Sequence, residues 1–124
     1  MTALICAMFI WSGPFYEGSI EDAFAKAKKE NKLLVVDVYT TWCGPCKLLD
    51  KTTWQDQRVQ ELLGTQVIGL KVDAEKGEGV AFARKYKITG YPNLIILNAN
   101  GELVSRQVGY MPPQQFLEWV RQVI

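Results

Sequence analysis

The sequence contains no histidine. That absence removes Ser-His and Cys-His nucleophilic catalysis and every histidine-ligated metal centre. It holds three cysteines, Cys6, Cys43 and Cys46, too few and of the wrong parity for a disulfide framework. The number suits one reactive pair and one bystander. Charge of one sign is also missing. Fourteen Lys and Arg stand against thirteen Asp and Glu, and no like-charge run exceeds a pair such as Lys28-Lys29. Nothing is concentrated to neutralise phosphates, so no nucleic acid is expected as a partner. No apolar run approaches the roughly 20 residues needed to span a bilayer.

What is present describes one globular domain. A chain of 124 residues lies within the usual domain range of about 100–150, and 48% apolar against 22% charged residues excludes general disorder. Such a chain buries about two-thirds of its unfolded surface without a structural metal.

Residues 1–13 stand apart from the domain at 14–124. Ala3 to Trp11 carries no charge, and no Lys or Arg precedes Lys26. The run has the length of an export-signal core but lacks a basic start and an A-x-A cleavage site. It reads either as the remnant of such a signal or as an apolar strand or arm packing on the domain. Ile5 stands before Cys6 where a lipoprotein signal wants a small residue. Cys6 itself is open between an inert buried thiol, a residue lost with a signal, and a source of artefactual dimers.

Along the domain, Ser19 followed by Glu21 and Asp22 marks a helix start, with Ile20, Ala23, Phe24 and Ala27 on one face and Asn31 as its stop. Residues 33–39 read as a strand covered on both faces. Residues 40–46 read as a turn, with helical spacing from Lys47. A second helical piece runs over 56–63 and a strand over 66–73. A helix follows over 77–86, with Val80, Ala83 and Tyr86 or Lys87 on successive turns. Strands at 94–97 and 102–108 flank the turn Asn98–Gly101. Pro112 and Pro113 open a last helix carrying Phe116, Val120 and Val123. The order β-α-β-α-β-α-β-β-α implies an α/β fold: a mixed sheet with helices on both faces.

The chemistry concentrates in Trp42-Cys43-Gly44-Pro45-Cys46-Lys47. Cysteines three apart at a helix start close a small disulfide ring. At the helix amino end the dipole and free N–H groups favour the Cys43 thiolate, lowering its pKa below about 8.5. Cys46, one turn on and facing inward, stays a thiol until needed. That asymmetry permits attack by Cys43 on a disulfide and resolution by Cys46. Half of a zinc or iron-sulfur site is the competing reading, but a second ligand pair is missing, so no metal is expected. A purely structural disulfide would be a weak staple for so short a loop.

Asp37 lies six residues before Cys43, inside the apolar strand, and shares a face with Leu33, Val35 and Tyr39. Either it sits at a solvated strand end, or it is a buried carboxyl of raised pKa placed to take the Cys46 proton. Lys71 is its candidate partner. Gly90-Tyr91-Pro92-Asn93 places a proline directly before an apolar strand and suggests a special backbone.

Taken together, W-C-G-P-C-K, an Asp six residues upstream and G-x-P before a late strand resemble the thioredoxin family, from about Phe15 to Ile124. The resemblance implies a thioredoxin fold with strand order 1-3-2-4-5 and the last two strands antiparallel. It implies Cys43 as attacking thiol, Cys46 as resolving thiol, Asp37 as buried proton acceptor and Lys71 as its neighbour. Pro92 matches the family's cis-proline. Tyr91 offers backbone groups to a bound chain, and Trp42, Gly44, Pro45 and Gly109 match the substrate groove. It further implies a monomer that reduces protein disulfides, takes electrons from an upstream thiol donor and needs no bound cofactor. Tyr91, Asn93 and the long Asp73–Gly79 loop depart from thioredoxins proper. Lys51 through Val59 resembles exported members and the C-terminal domain of transmembrane disulfide reductases. That points to the bacterial periplasm or cell envelope, with the cytoplasm as the alternative. An isomerase in an oxidising compartment, or a binding module without turnover, are the other functions this resemblance leaves open.

Overall fold

Ser19 opens the first described helix as the sequence leads one to expect: its hydroxyl accepts the Asp22 N–H at 3.0 Å. The computed structural model describes residues 14–124, so Cys6 and the apolar segment at 1–13 lie outside the described residues. Helix α1 spans Ile20–Glu30 and stops at Asn31, which takes the left-handed conformation at φ 57°. Strand β1, Leu34–Tyr39, is followed by α2, Gly44–Lys51, a 3₁₀ turn at Thr53–Gln55, and α3, Gln57–Thr65. Strand β2 covers Ile68–Asp73 and α4 Gly79–Lys85. Strands β3, Asn93–Leu97, and β4, Leu103–Val108, precede α5, Pro113–Arg121.

The described strands form a mixed sheet in the order β2-β1-β3-β4. β1 pairs parallel with β2, while β1–β3 and β3–β4 are antiparallel. These are the last four places of the order 1-3-2-4-5. The fifth strand, expected before α1, is a correction: residues 14–19 form none, and the described sheet has four strands, although the Tyr16 N–H donates to the Gly69 carbonyl of β2 at 2.7 Å. β1 sits in the middle and is covered on both sides. Leu34, Val36 and Val38 pack with Ala23, Ala27, Phe82 and Ile95 on one face. Val35 packs with Leu49, Trp54, Val59, Phe116 and Leu117 on the other. This two-sided burial explains why the strand lacks polar alternation.

Two local readings are corrected. The turn read over 40–46 ends at Cys43, and the helix begins at Gly44 rather than at Lys47, which puts the cysteine pair at its start as the cysteine spacing requires. Pro45 falls in its first turn, where a missing N–H leaves no helical bond unmade. Val80 does not share the inner face of α4 and is 40% exposed, while Phe82, Ala83 and Tyr86 are buried. On a seven-residue helix starting at Gly79, the 3.6-residue period turns 82, 83 and 86 inward and leaves 80 outside. Gly79 itself is pressed on the sheet: a Cβ there would stand 1.8 Å from the Asp73 carbonyl oxygen.

Candidate active site

Cys43 is the N-cap residue of α2, with extended backbone at φ −84° and ψ 114°. Its Sγ accepts the Cys46 N–H at 3.1 Å, so sulfur stands where a capping oxygen commonly stands. Cys43 and Cys46 are joined as a disulfide with their Cα atoms 5.3 Å apart. Both are almost fully buried, whereas Gly44 and Pro45 between them are exposed. A Cβ added at Gly44 meets nothing within 4 Å, so no packing demand fixes that glycine.

Around the disulfide stand the groove candidates. Trp42 is 63% exposed. It is nonetheless held: its indole N–H donates to Glu75 Oε1 at 2.9 Å, and its ring meets Tyr91 edge-on with centroids 5.8 Å apart. The Tyr91-Pro92 peptide is cis. Gly109 donates its N–H to the Pro92 carbonyl at 2.8 Å from φ 103°, a backbone region that favours glycine.

A charge cluster links β1, β2 and α2, and only its Asp37 member is buried. Asp37 is 1% exposed, on the central strand, so the reading as a solvated strand end does not hold. Oδ2 accepts the Trp54 indole N–H at 2.9 Å, and Oδ1 has no hydrogen-bond partner among the described residues. Burial pushes the Asp37 carboxyl up to about 6; the Lys71 cation and the Trp54 hydrogen bond pull against it, and the Asp50 charge adds to it. Lys71 is opposite Asp37 in the β1–β2 register. Its ammonium nevertheless bonds first to Asp50 Oδ1 at 2.5 Å and stands 3.8 Å from Asp37 Oδ2. It also lies 4.6 Å from the centroid of the Tyr39 ring. The expected Asp37–Lys71 pair is therefore a triad with Asp50. Asp50 lies four residues after Cys46, one turn on along the same helix.

Sequence reasoning missed Trp54, Asp50 and Glu75. The i,i+4 spacing of Cys46 and Asp50 was the available signal for Asp50. Trp54 reaches Asp37 because the 3₁₀ turn drops its ring into the core, edge-on between Phe15 and Phe116. No local pattern announces that.

The arrangement can exchange two electrons through sulfur, and comparison with known proteins places it. Residues 20–124 match the family model described as a thioredoxin-like domain. The "Thiol:disulfide interchange protein DsbD" of Haemophilus ducreyi is 30% identical over 98 residues, covering 76% of this chain and 17% of that protein. The chain thus spans about a sixth of the length of the DsbD relatives it matches. The reduced C-terminal domain of Neisseria meningitidis DsbD superposes with a TM-score of 0.68 at 26% identity, over 83% of this chain and 92% of that one. A Bacteroides thetaiotaomicron structure, assigned provisionally as a disulphide-isomerase, is 43% identical with a TM-score of 0.75, over 86% of this chain and 88% of that one. With Cys43 capping α2 and Cys46 in its first turn, its buried aspartate and its mixed sheet flanked by helices, the chain belongs to the thioredoxin-like domain family.

Proposed function

We propose that the chain is a thiol-disulfide oxidoreductase that reduces disulfides in protein partners. The observation that carries this reading is the Cys43–Cys46 disulfide at the amino end of α2. In the reduced protein the Cys43 thiolate accepts the N–H groups of the first turn of α2. It attacks one sulfur of a substrate disulfide. A Cys43–substrate bond forms, the substrate S–S bond breaks, and the departing thiolate takes a proton from solvent. Cys46 then attacks the Cys43 sulfur. Its proton passes to the ionised Asp37, directly or through one water, and the second substrate thiolate leaves and is protonated. Two electrons have moved from the dithiol to the substrate, leaving the oxidised pair. An upstream thiol donor restores the dithiol by the same exchange in reverse. The electrons reside on the two sulfurs, so the reading needs no cofactor.

Trp42, Gly44, Pro45, Tyr91, Pro92 and Gly109 form the proposed docking groove for the substrate chain, with backbone groups of Tyr91 pairing in strand fashion. The bacterial cell envelope is the proposed compartment, on the likeness to DsbD and the uncharged Ala3–Trp11 run. No helix among the described residues is long and apolar enough to cross a membrane.

A second reading, isomerisation of protein disulfides, is favoured by the 43% identity to the Bacteroides thetaiotaomicron protein. Trapping separates turnover from binding alone. A Cys46→Ser variant should accumulate mixed disulfides with its partners. If the same partners are recovered only non-covalently, and equally by a Cys43→Ser/Cys46→Ser variant, the chain is a binding module and the proposal fails.

A further inference from the structure

Arg106 is a half-buried cation that makes no ion pair among the described residues. Its guanidinium spans two neutral oxygens instead. Nη1 donates to Asn93 Oδ1 at 3.0 Å, and Nη2 donates to the Tyr86 carbonyl at 2.5 Å. Tyr86 caps the carboxyl end of α4, where a cation suits the free carbonyls. Asn93 is 1% exposed. Arginine can only donate, so the oxygen of the Asn93 amide must face Arg106 and its nitrogen must face the other way. There Nδ2 donates to the Gly90 carbonyl at 3.3 Å. In the β3–β4 ladder Asn93 is opposite Val108 and Ile95 is opposite Arg106, so Asn93 and Arg106 are diagonal neighbours on one face. Just past the end of β4, Gly109 holds the Pro92 carbonyl. Gly90 and Pro92 are thus both tied to one end of β4, with Tyr91 between them.

We infer that Arg106 and Asn93 are positioning residues for protein substrates, fixing the Gly90–Tyr91–Pro92 backbone as a docking edge. The inference rests on the function proposed above and adds what selects the substrate. A disulfide carried on an extended chain uses that edge through main-chain hydrogen bonds. A small disulfide with no chain to pair does not. The two-oxygen span also requires the planar fork of arginine, because a lysine ammonium is a point donor that cannot hold both sites in one geometry.

The test compares insulin with bis(2-hydroxyethyl) disulfide as oxidants of the full chain, with dithiothreitol as donor. Arg106→Lys keeps the charge and loses the fork. Asn93→Asp keeps an acceptor for Arg106 and loses the donor to Gly90. Arg106→Gln is a milder third variant should either of these melt without cooperativity. The expected result is a KM for insulin raised about tenfold with kcat within about twofold. The same variants should turn over bis(2-hydroxyethyl) disulfide at the wild-type rate and keep the wild-type reduction potential. A wild-type KM for insulin in the folded variants overturns the inference. So does an equal loss on both oxidants, since Arg106 would then only brace the fold. If the wild-type protein reduces neither oxidant, the proposed function fails first and the inference falls with it.

Discussion

The indole N–H of Trp54 reaches Oδ2 of Asp37 at 2.9 Å, while Oδ1 of the same buried carboxyl has no hydrogen-bond partner among the described residues. One oxygen is thus held for the charged form and the other is left to take a proton. Lys71 stands 3.8 Å away but is bonded more closely to Asp50, so it only partly neutralises the buried charge. The result is a carboxyl raised to about 6, ionised at neutral pH yet costly to keep so.

That cost should appear in stability. The folded pKa of Asp37 lies above its ordinary 3.8, so the folded state binds the extra proton between pH 3.8 and about 6. Stability therefore falls as pH rises through that window, by about 3 kcal/mol in total. Asp37→Asn should be more stable than wild type by up to that amount at pH 7, with the advantage shrinking toward acid. Urea denaturation of the oxidised protein at pH 7 and at pH 3.5 measures it. An advantage of equal size at both pH values contradicts the buried-charge account.

The same variant should lose the resolving step. In the proposed mechanism Asp37 accepts the Cys46 proton, so release of the mixed disulfide should slow by about 100-fold near pH 7. Stopped-flow mixing with a chromogenic disulfide separates the two steps. Attack by Cys43 should keep its rate to within a few-fold, and slowing of the first step alone counts against the assignment.

Trp54→Phe and Asp50→Asn should move Asp37 in opposite directions. Loss of the indole donor removes a group that favours the carboxylate, so the pH midpoint of the resolving step should rise. Loss of Asp50 removes a like charge and frees Lys71 for Asp37, so the midpoint should fall. Infrared titration of the carboxyl band in each variant reads the shift directly. Shifts of the same sign refute the triad.

Two glycines of the proposed groove should respond differently to alanine. Gly109 holds φ at 103°, so Gly109→Ala is strained by about 1 kcal/mol despite open space around its Cβ. Gly44 has no positive φ and equally open space, so Gly44→Ala should melt within about 0.5 kcal/mol of wild type. Calorimetry of the two variants side by side tests the backbone argument.

Much of this site was readable because its chemistry is local. Cys43, Cys46 and Pro45 declare a helix start, and Asp37 declares itself by interrupting an apolar strand. Ser19 and Asn31 mark α1 by capping rules that act within four residues. Trp54, Glu75 and Arg106 carry no such mark, and Asp50 carries only its i,i+4 spacing from Cys46. Each is an ordinary polar or aromatic residue whose role comes from a partner 13 to 33 residues away. Val80 was misplaced for a related reason. The length of α4 and the approach of Gly79 to Asp73 set its phase, and both follow from packing on the sheet rather than from apolar spacing.

The equilibrium reduction potential of the Cys43–Cys46 pair, measured in a Cys6→Ser background, tests the central claim most directly. Trp42 adjoins the disulfide and its fluorescence should report the redox state across graded thiol buffers. A reductase account predicts a value at or below about −250 mV, close to that of thioredoxin. A value above about −200 mV contradicts it and assigns the pair to isomerisation or oxidation.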